Sequence, residues 1–267
     1  MFDIVQDQQG IMYFANSWNV RIFDGVNWDY ISLSNQRESR SLAMDADGRI
    51  YVGGVDDLGY LEPNKQGKMG FVSLISKLPE AAQKCGSVSQ TIYNNGYIYF
   101  VASRVIARWN GKEMKTWSLP TSALGSFIYQ ENFYINLKNT GLHILKDQLL
   151  PIEGSQPLGE QIIINGFEHK GNLVIATQLN ALIQVNFLTD KKVEVLPYPT
   201  VLDNFFKENQ IWSAKKLGGM WVIGTAKAGA AITDLDFNLL CFIDKSTDLQ
   251  SDAVVNSFAD KDGIIWL

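Results

Sequence analysis

The chain has 267 residues, 46% of them hydrophobic and 19% charged, a composition that is typical of a packed globular core and excludes a disordered chain. Lys and Arg number 23 against 28 Asp and Glu, so the net charge is −5, and this mildly acidic balance without a basic block argues against a nucleic-acid or anionic-membrane partner. No apolar run approaches the roughly eighteen residues that cross a bilayer. Met1 leads straight into an apolar pattern, so we expect no membrane insertion and no signal peptide.

A repeated unit organises the chain. It consists of an alternating apolar strand, a polar turn that ends in Gly, and a second strand that carries an aromatic residue. Clear copies begin at Ile4, Leu42 and Ser257, and weaker copies lie between them. Equivalent second-strand positions fall at 13, 51, 99, 134, 174, 221 and 266. Their mean spacing of about 42 residues is the period of a four-stranded propeller blade.

Two more strands follow each of the first six hairpins in chain order. Third strands are predicted near residues 20, 58, 105, 141, 181 and 230, and fourth strands near 28, 71, 115, 148, 193 and 239. Asp24-Gly25 and Asn110-Gly111 are strong hairpin signals between them. No capped helical pattern of about ten residues appears, and residues 76–83 allow a single helical turn in a loop.

These strands predict an all-β fold, a β-propeller of four-stranded blades with six complete blades plus half of a seventh. We expect residues 1–267 to form a single propeller domain. Because an open propeller leaves an unpaired strand edge, we expect the chain to be a fragment of a longer, seven-bladed protein. We also expect about twenty further residues, half a blade, to stabilise it.

Four segments carry a resemblance to a known family: Gly10-Ile11-Met12-Tyr13-Phe14, Asp47-Gly48-Arg49-Ile50-Tyr51-Val52-Gly53-Gly54, Trp221-Val222-Ile223-Gly224-Thr225 and Asp260-Lys261-Asp262-Gly263-Ile264-Ile265-Trp266. They resemble the repeats of two-component regulator propeller domains, the extracytoplasmic sensor propellers of bacterial hybrid histidine kinases, helix-turn-helix regulators and diguanylate cyclases. The resemblance extends over nearly the whole chain, although repeats 3 to 5 lack the Asp. It implies a periplasmic or extracytoplasmic sensor domain of a membrane-anchored parent and leaves the ligand open.

Two acidic turns resemble the start of a calcium loop, Asp45-Ala46-Asp47-Gly48 and Asp260-Lys261-Asp262-Gly263. Position twelve counted from Asp45 is Asp56 instead of the bidentate Glu of such a loop. Asp and Gly are also the residues that a tight turn requires. We therefore interpret both segments as structural turns and predict no metal and no cofactor.

The candidate catalytic groups do not converge in the sequence. His143 and His169 belong to different repeats, and we expect His169 to be a solvated turn residue. Cys85 and Cys241 lack a zinc-binding spacing, and we expect both to be buried thiols. Three carboxylates precede first strands, but no feature singles them out as a glycosidase pair: Glu38, Asp203 and Asp252.

Propeller topology predicts where a ligand would bind. The loops from second to third strands and the connections into first strands emerge on one face, and loops on a rigid scaffold form concave sites. The candidate ligand-binding residues in these loops are Trp18, Asn19, Arg40, Asp56, Asp57, Arg104, Lys138, Asn139, Gln178, Asn180 and Lys227. Their amides, mixed charges and single Trp suit a small polar ligand of the oligosaccharide type.

Three functions remain open. The first is a non-catalytic sensor that transmits ligand occupancy to downstream domains of the same chain, as a monomer or a homodimer. The second is a protein-interaction propeller whose rim or strand edge binds another chain. The third is a carbohydrate-active enzyme. A kinase, cyclase or DNA-binding domain in the parent protein would favour the first.

Overall fold

The computed structural model describes residues 1–247 and 249–267. Over these residues it contains six four-stranded antiparallel sheets and one two-stranded sheet, and in every sheet the strands pair in chain order. This meander is the blade of a β-propeller. The predicted all-β fold, with six complete blades and the first two strands of a seventh, is confirmed. Tyr13, Tyr51, Tyr99 and Trp221 all lie on second strands, as the repeat requires.

The chain divides into two compact units, and the first, Met1–Ser122, holds blades 1 to 3. Blade 1 comprises β1 (Asp3–Gln6), β2 (Met12–Ala15), β3 (Val20–Phe23) and β4 (Trp28–Ile31); blade 2 comprises β5 (Ser39–Met44), β6 (Ile50–Gly54), β7 (Leu58–Pro63) and β8 (Met69–Ser73); and blade 3 comprises β9 (Val88–Asn94), β10 (Tyr97–Ala102), β11 (Val105–Trp109) and β12 (Met114–Ser118). Two single 3₁₀ turns connect blades 2 and 3, at Ile75–Lys77 and Glu80–Ala82.

The second unit, Ala123–Leu267, holds the remaining blades. Blade 4 comprises β13 (Ala123–Tyr129), β14 (Asn132–Leu137), β15 (Gly141–Leu145) and β16 (Leu149–Pro151); blade 5 comprises β17 (Ile163–His169), β18 (Asn172–Thr177), β19 (Leu182–Thr189) and β20 (Lys192–Pro197); blade 6 comprises β21 (Ile211–Leu217), β22 (Met220–Thr225), β23 (Ala230–Thr233) and β24 (Leu239–Ile243); and the last pair is β25 (Phe258–Ala259) with β26 (Ile265–Trp266). That residues 1–267 form one domain stays a prediction.

The Asp of the repeat holds its own turn together. In blade 1, Asp7 Oδ1 accepts the backbone N–H groups of Gln9 and Ile11 at 2.9 Å each, and Asp7 Oδ2 accepts the hydroxyl of Tyr13 at 3.0 Å. Burial, with the neighbouring Asp7 charge, raises the pKa of Tyr13. The acid and the aromatic residue six positions later are therefore a structural pair.

The two turns that resemble calcium loops follow the same plan. Asp260 Oδ1 accepts the N–H groups of Asp262 and Ile264 at 3.0 and 2.9 Å, and Trp266 donates its indole N–H to Oδ2 at 2.9 Å. The hydrogen bond from Trp266 is the main reason that the pKa of Asp260 is lowered. Asp45 caps the turn of blade 2 in the same way. These contacts confirm the structural-turn interpretation.

Each unit places its apolar core between successive blades. Side chains of blades 1 and 2 pack together in the first unit, among them Tyr13, Leu42 and Val52. Blades 5 and 6 do so in the second, with Trp221 and Phe206 as large members. Phe206 lies on the single α-helix of the described residues, α1 (Asp203–Asn209), which leads into blade 6. The sequence pattern predicted no helix there because seven residues are too few to show a helical period.

Two expectations about single residues were wrong. Cys85 is buried as expected, but Cys241 is exposed on the outer strand β24. His169 is largely buried instead of solvated, because Tyr198 and Phe237 pack against its ring with centroids at 5.6 and 5.2 Å. The burial of His169 depends on neighbours that are distant in the sequence.

Candidate functional site

The predicted loops do share one end of the blades within each unit; we call this end the rim. The N–H of Ser39, which begins blade 2, donates to the carbonyl of Asn16 in the second-to-third-strand loop of blade 1 at 3.1 Å. In the second unit, Gln178 donates to the Ile162 carbonyl at 2.9 Å and accepts from Ile211 at 3.0 Å. The loop of blade 1 therefore contacts the start of blade 2, and the loop of blade 5 contacts the segments that lead into blades 5 and 6.

Two candidate carboxylates on the rim of the first unit bind protein groups. Asp56 Oδ2 accepts Arg37 Nη1 at 2.6 Å, and Oδ1 accepts the N–H of Gly86 at 2.8 Å. Asp57 is buried and accepts the hydroxyl of Ser73 at 2.5 Å. Asp56 thus ties blade 2 to the segment that enters blade 3, and the two adjacent carboxylates have different partners.

The other candidate residues of the first unit differ in how exposed their side chains are. Arg40 pairs with Glu38, and its guanidinium lies 4.2 Å from the centre of the Phe2 ring. The backbone of Asn19 is engaged, since its carbonyl accepts the Ser39 hydroxyl at 2.6 Å. Trp18 is 77% exposed, and Arg104 is exposed as well. Trp18 and Arg104 are therefore the side chains that face solvent here.

On the rim of the second unit, most candidate side chains face solvent. Asn139 has a left-handed backbone with φ of 67°, which turns the loop, and its N–H donates to Gly159 at 2.8 Å. Lys227 reaches the Glu208 carbonyl at the end of α1, with Nζ at 3.4 Å. Gln178 is partly buried, and the exposed candidates are Lys138, Asn139, Asn180 and Lys227.

Bulges in first strands present two side chains: Trp212, which the sequence did not single out, and Arg40, which is one of the predicted ligand-binding residues. In β21, Ile211 pairs with Thr225 and Ser213 with Gly224, so the residue between them, Trp212, has no partner across the ladder. The same interruption in β5 lies at Arg40. A bulge re-aims its side chain, and Trp212 is one of the exposed large apolar residues. The broken alternation of polar and apolar residues is the signal that could have revealed it.

The two histidines and the three carboxylates that precede first strands, Glu38, Asp203 and Asp252, each have their own surroundings. Burial lowers the pKa of both His143 and His169, and the Nδ1 atom of His143 lies 3.1 Å from the carbonyl of Gly141. Asp203 accepts from Thr200. Within residues 1–247 and 249–267, no group of three His, Cys, Asp or Glu side chains could hold a metal ion.

Two clefts lie at the opposite ends of the blades, beside the turns between first and second strands. The cleft of the first unit has a volume of about 570 Å³ and includes the turns of blades 1, 2 and 3. The cleft of the second unit, about 640 Å³, has aromatic walls from Tyr129, Tyr134 and Phe187, with Lys146 and Lys191 at its border. The sequence pattern of the repeat turns predicts a structural role for them and gives no sign of the clefts beside them.

No protein-family model matches the chain, and no curated protein matches it either. Solved structures do match. The extracellular domain of the hybrid two-component system BT3049 from B. thetaiotaomicron is 18% identical with a TM-score of 0.67, over 99% of this chain. That of BT4673 from the same organism is 15% identical with a TM-score of 0.68, over 98% of this chain. This chain spans 38% and 36% of the length of those two structures.

Propeller enzymes are similar as well. A virginiamycin B lyase from Staphylococcus aureus is 11% identical with a TM-score of 0.62, over 86% of this chain and 80% of the lyase. A variant of that lyase with one His replaced by Ala is catalytically inactive. At these identities the similarities show the propeller fold alone. No helix in the described part of the chain has the length and apolarity to cross a membrane.

Proposed function

We propose that this chain is a non-catalytic ligand-sensing propeller of a bacterial two-component-type regulator, located outside the cytoplasmic membrane. The observation that carries the proposal is the similarity, over nearly the entire chain, to extracellular domains of two hybrid two-component systems. The repeat motifs resemble the same class of sensor. This chain spans little more than a third of those structures, which are themselves extracellular domains. The output domains to which the chain would signal are therefore part of the proposal.

The rim supplies the proposed contacts for a small polar ligand. Trp18 offers an exposed indole, the kind of surface on which a sugar ring packs, and Arg104 is an exposed donor in the same unit. In the second unit, Lys138, Asn139 and Asn180 are exposed donors and acceptors. To act as a sensor, the protein must bind this ligand with different affinities in two arrangements of the receptor.

The partners of three carboxylates support the non-catalytic part of the proposal. Glu38 pairs with Arg40, Asp203 with Thr200, and Asp252 with the backbone of Lys245. Each carboxylate is thus engaged close to its own position in the chain, whereas a glycosidase needs two that face one bond.

The test is a binding screen with a matched pair of variants. Malto-, cello-, xylo- and arabino-oligosaccharides are each added to the purified protein, and thermal melting and product formation are followed together. We expect one series to raise the melting temperature without turnover. Trp18→Ala should abolish that rise, while Tyr30→Ala, another exposed aromatic residue of blade 1, should retain it. A screen without any binder, or with turnover of a bound glycan, would contradict the proposal.

A second candidate function, self-association through a strand edge, follows from β24. This outer strand of blade 6 reads Leu239-Leu240-Cys241-Phe242-Ile243, with Leu240 59% exposed. It lacks the Lys and Pro residues that protect edge strands. If a second copy pairs antiparallel about Cys241, Leu240 lies opposite Phe242 and Leu239 opposite Ile243, so that apolar side chains meet.

Oxidative cross-linking tests this pairing directly. Cys241 is the exposed cysteine and Cys85 is buried, so copper phenanthroline should produce a dimer joined by Cys241. Light scattering should show the dimer before oxidation, and Leu240→Lys should return it to a monomer. A strictly monomeric protein that does not cross-link would refute the edge contact.

A further inference from the structure

The cleft of the first unit carries an excess of negative charge. Its walls include the carboxylates of Asp7, Asp45, Asp47 and Glu62 and a single cationic side chain, Arg49. Four carboxylates against one guanidinium leave three formal negative charges in excess. Clefts lined by one sign of charge attract ligands of the opposite sign. We call this site the acidic cleft.

The four carboxylates are not equally available to a ligand. Those of Asp7 and Asp45 hold their turns. Glu62 lies 3.8 Å from Arg49, on the outer part of blade 2. Asp47 is exposed, and its one hydrogen bond within the described residues runs from its backbone N–H to Asp45 Oδ1. Asp47 is therefore the carboxylate that is best placed to meet a cation from solvent.

A second observation points to a ligand independently of the charges. Trp109 lines the acidic cleft, is only 6% exposed, and its Nε1 has no hydrogen-bond acceptor among the described residues. By contrast, the Tyr13 hydroxyl, another aromatic donor that lines this cleft, does have an acceptor, since it donates to Asp7 Oδ2 at 3.0 Å. An unpaired buried N–H is costly. A ligand that brings an acceptor oxygen would remove this cost.

The volume and the two kinds of group together define the ligand. About 570 Å³ lies within the usual size range of small-molecule sites. The carboxylates call for a cation, and the indole N–H calls for a hydroxyl or carbonyl oxygen. We propose that the acidic cleft binds a small polyhydroxylated amine of the amino-sugar class, with its ammonium group at Asp47 and a hydroxyl oxygen at Trp109.

This site is distinct from the rim, so the two can succeed or fail separately. Calorimetric titration with glucosamine near pH 6.5 is compared with titrations with glucose and N-acetylglucosamine, which lack the charge. We expect glucosamine to bind roughly tenfold more tightly than either, because one added ion pair of moderate strength has that effect. Added NaCl should weaken the binding. Equal binding of all three sugars, or no glucosamine binding at about 50 mM, would overturn the proposal.

A pair of charge variants locates the ammonium group. Asp47→Asn should weaken glucosamine binding by roughly three- to tenfold. Asp29→Asn removes the same charge from an exposed position on β4, outside the cleft, and should change the affinity by less than about twofold. Equal effects of the two variants would indicate a non-specific attraction to the acidic protein and would refute the assigned site.

The indole N–H resonances identify the other end of the ligand. The chain has seven Trp residues, and Trp109→Phe assigns one signal by its loss. In the wild-type protein, glucosamine should shift the Trp109 N–H signal downfield as the new hydrogen bond forms. A shift confined to Trp18 would instead place the amino sugar on the rim and overturn the assignment. If Trp109→Phe does not fold, the Asp47→Asn titration decides alone.

Discussion

Gly53→Ala tests how closely neighbouring blades approach each other in the first unit. Gly53 lies on β6, opposite Ser41 on β5. An added Cβ would lie 2.5 Å from both Ser41 Oγ and Val88 Cγ1 and 2.8 Å from Thr91 Oγ1. These distances are well below van der Waals contact, and two of the three atoms belong to blade 3. The substitution therefore requires the blades to separate.

The expected cost follows from three contributions. Overpacking of a well-packed core costs roughly 1–3 kcal/mol. Displacing the Ser41 hydroxyl, which bonds to Val88 O at 2.9 Å and Thr91 Oγ1 at 2.8 Å, leaves a buried polar group unpaired and adds about 1–3 kcal/mol. The reduced entropy of the unfolded chain offsets about 0.4–1 kcal/mol. We expect a net loss of about 3 kcal/mol, between limits of about 1 and about 6 kcal/mol.

Urea unfolding followed by circular dichroism measures this loss, and the same blade offers a control. Gly70 lies on β8, and a Cβ there would meet its nearest neighbour, Glu62 O, only at 3.9 Å. Gly70→Ala should thus be neutral or slightly stabilising. Adding Ser41→Ala to Gly53→Ala should recover part of the stability, because the two side chains compete for one space. Equal stability of Gly53→Ala and Gly70→Ala would refute the close approach of blades 2 and 3.

Three further predictions concern single side chains. Burial, with the Asp45 charge, raises the pKa of Tyr51 to about 12. The stabilisation by the neutral Tyr51 is therefore complete below about pH 10, the pKa of Tyr in the unfolded chain, and should be lost as the pH rises from there towards 12. In pH-dependent melting, Tyr51→Phe should lose less stability over this range than the wild-type protein. Burial also raises the pKa of Cys85 to about 11. At pH 8 a thiol reagent should therefore modify one cysteine rapidly, and Cys241→Ser should remove that fast phase; two fast thiols would contradict the burial of Cys85. Trp266→Phe removes the 2.9 Å hydrogen bond to Asp260 Oδ2 and should lower the free energy of unfolding in urea by about 1 kcal/mol. An unchanged stability would mean that β25 and β26 contribute nothing to it.

The sequence by itself determined the repeat and the interior of each turn. Asp7 and Tyr13 are six positions apart, and the Asp that holds the turn also accepts the hydroxyl of the aromatic residue. Because these contacts are local, the same short pattern produces the same hairpin wherever it recurs. The period of about 42 residues then follows from four strands per blade. Alternation within strands also places apolar residues between blades.

Tertiary structure alone decided which polar side chains are available. The Asp56 carboxylate binds Arg37 and the backbone of Gly86, which lies 30 positions away. This predicted ligand-binding residue therefore connects two segments of the protein. Trp109 reads as an ordinary strand residue, yet it lines a cleft and its N–H has no acceptor among the described residues. Such properties depend on partners from other blades. Local pattern carries no information about them, because the chain sets those distances only when the blades pack together.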